Sequence, residues 1–326
     1  MQKEFTTNIK LAGVNIHVVS DMDVDITHLH QLFKYHVVKD ENASDGPSHL
    51  IEVKTVRKFN MPSDATLVWQ GIYHGVGHKG RHDNRLKKYL SADSKTEYYM
   101  ASEGSCIIND LTANRTIYML QVKHNWLTNS NVRTTVGQMI ILLVHIVMSC
   151  HRRYAIHASA VVWKGFAVVF TGRSGMGKST LCSDLVAQGA GFLGDDIVFL
   201  YQENDKVRVA SLLFDAKLYE QGKPLKGFVD ILERYGCAKI EDAPLQAFAR
   251  IVPIRKGPSI VQLVPDENKL FDVLLTAANN IALQYDHNDW ITLCTRVYES
   301  YPLYDFSFGD RALLDVNVLD GFYEKV

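Results

Sequence analysis

Two stretches of nearly unbroken apolar residues divide the chain. The first, Val136 to Cys150 (VGQMIILLVHIVMSC), is too short to span a bilayer and contains Gln138 and His145, so it predicts a buried helix, extending over Asn131 to His151. The cations His151 to Arg153 at its end sit where a helix dipole favours positive charge. The second holds two β-rich runs, Ala155 to Trp163 and Phe166 to Thr171, joined by Lys164-Gly165. That spacing predicts a two-residue hairpin, with the second strand antiparallel to the first.

Upstream, residues 1 to about 130 alternate between strand and helix signals across polar loops. Thr7 to Ser20 reads as strand, Ile26 to Val38 as helix by spacing, and Ser48 to Val56 as a half-buried strand. Asp40 to Pro47 reads as a loop, and Ser105 to Val122 as a hairpin turning near Thr112 to Asn114. The expected organisation is a smaller α+β domain over 1–130, for substrate recognition or assembly, and a larger α/β domain over 131–326. A length of 326 residues accommodates two domains.

Charge narrows the partners. With 36 acidic and 35 basic residues the chain lacks the global field that draws proteins onto nucleic acid. The opening MQKEFTTNIK has no apolar stretch after its charges, which predicts no targeting peptide, no membrane partner and a cytoplasmic protein. Five scattered cysteines without a C-x-x-C pair fit reduced thiols.

The strand ending at Thr171 runs into Gly172-Arg173-Ser174-Gly175-Met176-Gly177-Lys178-Ser179, a complete G-x-x-x-x-G-K-[ST], and then into a helical pattern from Ser179-Thr180. Strand, glycine loop and helix in that order form a phosphate cradle. The glycines let backbone N–H groups turn inward, Lys178 reaches the β/γ-phosphates, and the Ser179 hydroxyl is a Mg²⁺ ligand. Residues 172–180 are thus the expected ATP-binding set.

Further on, Phe192 to Tyr201 (FLGDDIVFLY) reads as a buried strand interrupted by Asp195 and Asp196. Two carboxylates there need a cation or hydrogen-bond donors. Successive strand residues face opposite ways, so unless a bulge intervenes one faces the phosphates and the other orients it or holds the metal.

His157, the glycine loop and the Asp195-Asp196 pair, in that order and spacing, resemble the catalytic domain of HPr kinase/phosphorylase. They resemble still more closely the HPr-kinase-like serine kinases, some of which act on peptide precursors. The close resemblance covers roughly residues 152 to 202. It implies a kinase domain of HPr-kinase/PEP-carboxykinase-like type with a mixed sheet, acting with ATP and Mg²⁺ on the serine of a protein or peptide. By position Asp196 would accept the serine proton, Lys178 bind phosphate, and Ser179 ligate Mg²⁺. His157 would lie beside the reacting phosphate, and Asp195 would be the supporting carboxylate and a second metal ligand. No E-I-R-G-L-G-like signature follows Asp196. HPr as substrate, phosphorylase activity and hexamer formation are therefore not carried over, and a homo-oligomer stays open. Glu220 is the nearest carboxylate for a further metal ligand, and it cannot be aligned.

Other features read as ordinary surface. Phe248 to Pro265 predicts a hairpin with a polar tip at Arg255 to Pro258, although Arg255 or Arg250 could stabilise a transferring phosphoryl group. The histidines 28, 30, 36, 74, 78 and 82 lack cysteine partners, and Lys79 to Lys88 reads as a solvated basic run. Two competing functions keep the same loop: a kinase of a small metabolite such as free serine or a sugar, and an ATP-sensing regulator without transfer. No N-K-x-D-like guanine-reading motif is present.

Overall fold

The computed structural model describes residues 4–22, 33–38, 46–72, 85–101, 104–121, 130–219, 226–253, 256–265, 268–278 and 287–323. The chain forms two compact units, Met1–His151 and Arg152–Val326. Both are mixed α/β with large mixed sheets.

The first unit is a sheet of nine described strands: β1 (Phe5–Leu11), β2 (Val14–Ser20), β3 (Val37–Val38), β4 (Ser48–Val56), β5 (Thr66–Ile72), β6 (Arg85–Leu90), β7 (Thr96–Ala101), β8 (Cys106–Asp110) and β9 (Arg115–Gln121). Their order is β3-β1-β2-β4-β9-β8-β7-β6-β5. The strand signal over Thr7 to Ser20 resolves into the hairpin β1–β2, turning at Ala12-Gly13, both at positive φ as a tight turn requires. Ser48 to Val56 is β4, and the hairpin over 105–122 is β8–β9.

Helix α1 (Ser130–Cys150) realises the first apolar run. Its Leu143 and Val144 meet Ile9, Leu11, Ile16, Val18, Phe33 and Ile51 in one apolar cluster. Alternate residues of β1, β2 and β4 thus supply one apolar face, and α1 covers it. Among the described residues no helix is long and apolar enough to cross a membrane.

The helix expected over 26–38 is corrected at its described end. Phe33 to His36 is a turn and Val37-Val38 pairs with β1, with the Lys10 N–H donating to the His36 carbonyl at 2.8 Å. Two adjacent valines beside an open strand edge gain more from pairing than from helical spacing. Residues 23–32, and the loop expected over 40–47 except its end, lie outside the described residues.

The second unit contains β10 (Tyr154–Ile156), β11 (Ser159–Trp163), β12 (Phe166–Thr171), β13 (Gly191–Gly194), β14 (Val198–Glu203), β15 (Lys206–Ser211), β16 (Asp215–Tyr219), β17 (Lys226–Asp230), β18 (Asp242–Pro253), β19 (Ile260–Leu263) and β20 (Leu303–Phe308). Its helices are α2 (Lys178–Ala187), α3 (Ile231–Tyr235), α4 (Asn268–Ala278) and α5 (His287–Ser300). The main path runs β10-β14-β15-β18-β12-β11-β13, with β20 also on β18 and β19 on β20. The expected β11–β12 hairpin forms antiparallel over Lys164-Gly165, both at positive φ. The long strand β18 then pairs parallel with β12 and with β20.

One strand assignment needs correcting. Phe248 to Pro265 is no hairpin, because β20 lies between β18 and β19 and pairs with both. The core beneath is aromatic: Phe170, Phe306 and Phe322 are fully buried, with ring centres 5.5 Å apart for Phe170–Phe306 and 6.3 Å for each ring with Phe322.

Candidate functional site

The strand β12 ends at Thr171, and α2 begins at Lys178. Between them the six residues from Gly172 turn the chain, with the Met176 N–H donating to the Arg173 carbonyl at 3.2 Å. Gly177 caps α2 in the left-handed region, φ 98°, and no side chain caps the helix. A Cβ at Gly177 would stand 3.3 Å from the Phe308 ring, so both backbone angle and space demand glycine. Arg173, Ser174 and Gly175 are exposed, Met176, Gly177, Ser179 and Thr180 half-buried, and Lys178 buried. The N–H groups of the first helical turn point out along the helix axis and make this end attractive to anions.

A break in the sheet supplies the rest. The segment β10–β11 runs antiparallel to β13–β14, with Ile156 opposite Val198 on one side and Ala160 opposite Gly194 on the other. These two pairs share one register, which then shifts by one residue at a bulge between Ala160 and Val161, and the three residues His157 to Ser159 and the three residues Asp195 to Ile197 between the pairs leave this ladder. The His157 N–H donates instead to the Ala277 carbonyl of α4, 3.1 Å, and the Ile197 N–H turns back to the Asp195 carbonyl, 2.8 Å. Asp196 takes the left-handed backbone, φ 67°, which Asp tolerates better than most residues. At these breaks the chain passes from one half of the sheet to the other.

The two carboxylates part company there. Asp195 is 3% exposed and accepts a short hydrogen bond from the buried Ser159 hydroxyl. The Asp196 side chain is 28% exposed, and its Oδ1 lies 2.9 Å from His157 Nδ1. The other imidazole nitrogen, Nε2, lies 3.3 Å from Lys178 Nζ, which also donates to the Gly172 carbonyl at 2.8 Å. An ammonium only donates, so Nε2 accepts and the imidazole proton sits on Nδ1, directed at Asp196. Lys178, His157 and Asp196 form one chain of hydrogen bonds, at the start of α2. Cys182 on α2 lies behind them, its thiol pushed well above its ordinary value by burial and then by the Asp195 charge.

Of the expected residues, the structure joins Lys178, His157 and Asp196, and turns Asp195 inward to Ser159, whose part sequence reasoning missed. Arg250 is also placed: it is the register partner of Thr171, and its guanidinium forms two bonds of 2.7 and 2.8 Å to Asp305. Arg255, Glu220 and the histidines 28, 30, 74, 78 and 82 lie outside the described residues. His36 is buried, with Nδ1 3.1 Å from the Lys10 carbonyl oxygen. Among the described residues no cluster of three or more His, Cys, Asp or Glu side chains forms a ready-made metal cage. The donor set at the loop, amides, one ammonium, the Ser179 hydroxyl and carboxylates, is of the kind that takes a phosphate chain together with a hard cation.

Part of this chain is similar to known proteins. Residues 149–264 match the family model of the HPr Serine kinase C-terminal domain. HPr kinase/phosphorylase of Chlorobium limicola is 31% identical over 99 residues, 29% of this chain and 28% of the relative. That of Lactobacillus johnsonii is 31% identical over 93 residues, 28% of each chain. The match thus spans little more than a quarter of the length of these curated relatives. Among solved structures, that of the Hpr(Ser) kinase/phosphatase from Coxiella burnetii aligns with a TM-score of 0.31 and 16% identity, over 49% of this chain and 87% of that one. The segment of this chain that holds the glycine loop, His157, Asp195 and Asp196 is HPr-kinase-related.

Proposed function

We propose that the protein is an ATP- and Mg²⁺-dependent kinase that transfers the γ-phosphoryl group to a serine-type hydroxyl of a protein or peptide. The observation that carries this reading is the chain Lys178–His157–Asp196, which ties a half-exposed carboxylate to the glycine loop through one imidazole. The name of the curated relatives, HPr kinase/phosphorylase, supports the reaction class.

In this reading the amides of residues 172–180 and the Lys178 ammonium bind the nucleotide phosphates. Ser179 and Asp195 hold the Mg²⁺, Asp195 oriented by Ser159. The cation supplies neutralisation of charge on the phosphate oxygens. Asp196 accepts the proton of the attacking hydroxyl, and the Nδ1–H of His157 keeps that carboxylate aimed. The catalytic role is assigned to the second unit and substrate recognition or assembly to the first. A cytoplasmic location belongs to the same reading.

The test is transfer from γ-labelled ATP, with Mg²⁺, into cell extract separated into small molecules, peptides and proteins, beside Asp196→Asn. Label in the peptide or protein fraction that disappears with Asp196→Asn supports the serine kinase. Label confined to small molecules makes it a metabolite kinase. Tight ATP binding with no Asp196-dependent transfer leaves a nucleotide sensor.

A further inference from the structure

The last described segment of the chain, from Phe308 to Tyr323, lies beyond residue 264, where the family match ends. It nonetheless touches both elements that launch the glycine loop. On the helix side it runs the length of α2. Phe308 presses on Gly177 at the N-terminus, Arg311 grips Asp184 in the middle with both guanidinium branches (Nε to Oδ2 at 2.6 Å), and Gln188 past the C-terminus is bound twice. The Gln188 amide donates to the Leu314 carbonyl at 3.0 Å and accepts from the Val316 N–H at 2.9 Å.

On the strand side the same segment closes over the β11–β12 turn. Asp320 accepts from the Trp163 indole N–H at 2.6 Å and pairs with Lys164 at 2.8 Å, and the Tyr323 hydroxyl donates to the Trp163 carbonyl at 2.5 Å. Beside this grip Phe322 is buried against Phe170 of β12. A loop whose six residues are all exposed or half-buried has little packing of its own to fix it. Its position is inherited from the ends of β12 and α2.

We infer that residues 308–323 are a positioning strap for the glycine loop, and that the Asp184–Arg311 pair is its exposed catch. Apart from Phe308, the strap contacts the flanking elements rather than the loop itself. It sets the relative placement of strand and helix, and hence the spacing of the loop amides and of Lys178 from His157. Freeing Arg311 leaves the anchors at Phe322, Asp320 and Tyr323 in place, so the unit stays folded while α2 gains freedom. The functional part of this inference rests on the nucleotide-binding reading above. Its geometric part does not.

The experiment is hydrogen exchange at the two protected amides of the loop region, Met176 and Leu181, whose acceptors are the Arg173 and Gly177 carbonyls. It is run on the full chain without nucleotide, for the parent, Arg311→Ala, Arg311→Lys and Asp184→Asn. A paired, bidentate surface contact along a helix is expected to slow local opening by about fivefold, so Arg311→Ala and Asp184→Asn should each speed exchange by about that factor. The double variant should be no faster than either single one, and Arg311→Lys should be partly rescued. Lys239→Ala, which removes an exposed pair with Glu241 elsewhere in the unit, should leave both amides unchanged. Affinity for ATP should fall by a similar factor. Exchange at Met176 and Leu181 that is the same in all variants overturns the strap. A parent protein that binds no ATP, yet shows the exchange pattern, overturns the nucleotide reading and leaves the strap standing.

Discussion

Nδ1 of His157 stands 2.9 Å from Oδ1 of Asp196 across a break in one antiparallel ladder. Neither residue sits in a mobile loop; both are held by paired strands on either side, β10 with β14 and β11 with β13. That is the kind of support a proton-handling pair requires, because an error of about 1 Å in such a pair can cost 10²-fold in rate.

Removal of the imidazole tests that support. His157→Ala should lower the transfer rate by about 10²-fold while ATP affinity changes little, since Lys178 keeps its bond to the Gly172 carbonyl. Steady-state kinetics beside equilibrium nucleotide binding would check the split. An equal loss in both would place His157 in binding instead.

Ser159→Ala strips the hydroxyl from a buried carboxylate. The expected loss is about 1–3 kcal/mol of unfolding free energy in the second unit, read from denaturant midpoints. The Mg²⁺ concentration needed for half-maximal transfer should rise, because Asp195 loses the group that orients it.

At Gly177 a methyl group meets two obstacles at once, the left-handed backbone and the Phe308 ring at 3.3 Å. Gly177→Ala should destabilise the second unit by about 1–2 kcal/mol from the backbone alone. It should weaken ATP binding as well, whereas alanine at the solvent-facing Gly175 should leave the Phe308 ring undisturbed.

How much of this was legible depends on where the signal lies. The β11–β12 hairpin was, because Lys164-Gly165 is a local turn signature, and so was α1, because its apolar run is long and continuous. The breaks at 157–159 and 195–197 were only half legible. The aspartates announce one, but nothing in Ala155 to Trp163 says that the strand changes sheet halves at His157. The insertion of β20 between β18 and β19 had no local mark at all, since a parallel pairing of Phe248 with Leu303 is invisible to short-range spacing. Arg311 and Asp184 are unremarkable in sequence and meet only because the tail runs along α2. In the first unit, the spacing that predicts a helix runs on to Val38, and pairing at the β1 edge takes Val37-Val38 into a strand instead.

Acid should weaken the first unit before carboxylates are involved. Burial, and next the neighbouring His151, lower His49 from 6.5 to about 4, and burial lowers His145 to about 3. The unfolded chain therefore takes up protons below about pH 6.5 that the folded one refuses, so stability present at pH 7 is lost as pH falls toward 4. For His49 the loss is on the order of 3 kcal/mol by pH 4. His145→Leu should flatten the slope of unfolding free energy against pH between 6.5 and 4; a slope unchanged by that substitution would place the acid sensitivity elsewhere.

The register shared by Ile156–Val198 and Ala160–Gly194, the pairs that flank the gap, has a consequence for how this chain can change its length. A residue added or removed between 157 and 159, or between 195 and 197, would oblige one half of the ladder to slip against the other. A slip of one residue turns every side chain beyond it to the opposite face. Lengthening at the Lys164-Gly165 turn does not touch that alignment. Relatives that keep the chemistry should therefore vary freely in length at such turns, and hold both three-residue gaps at constant size.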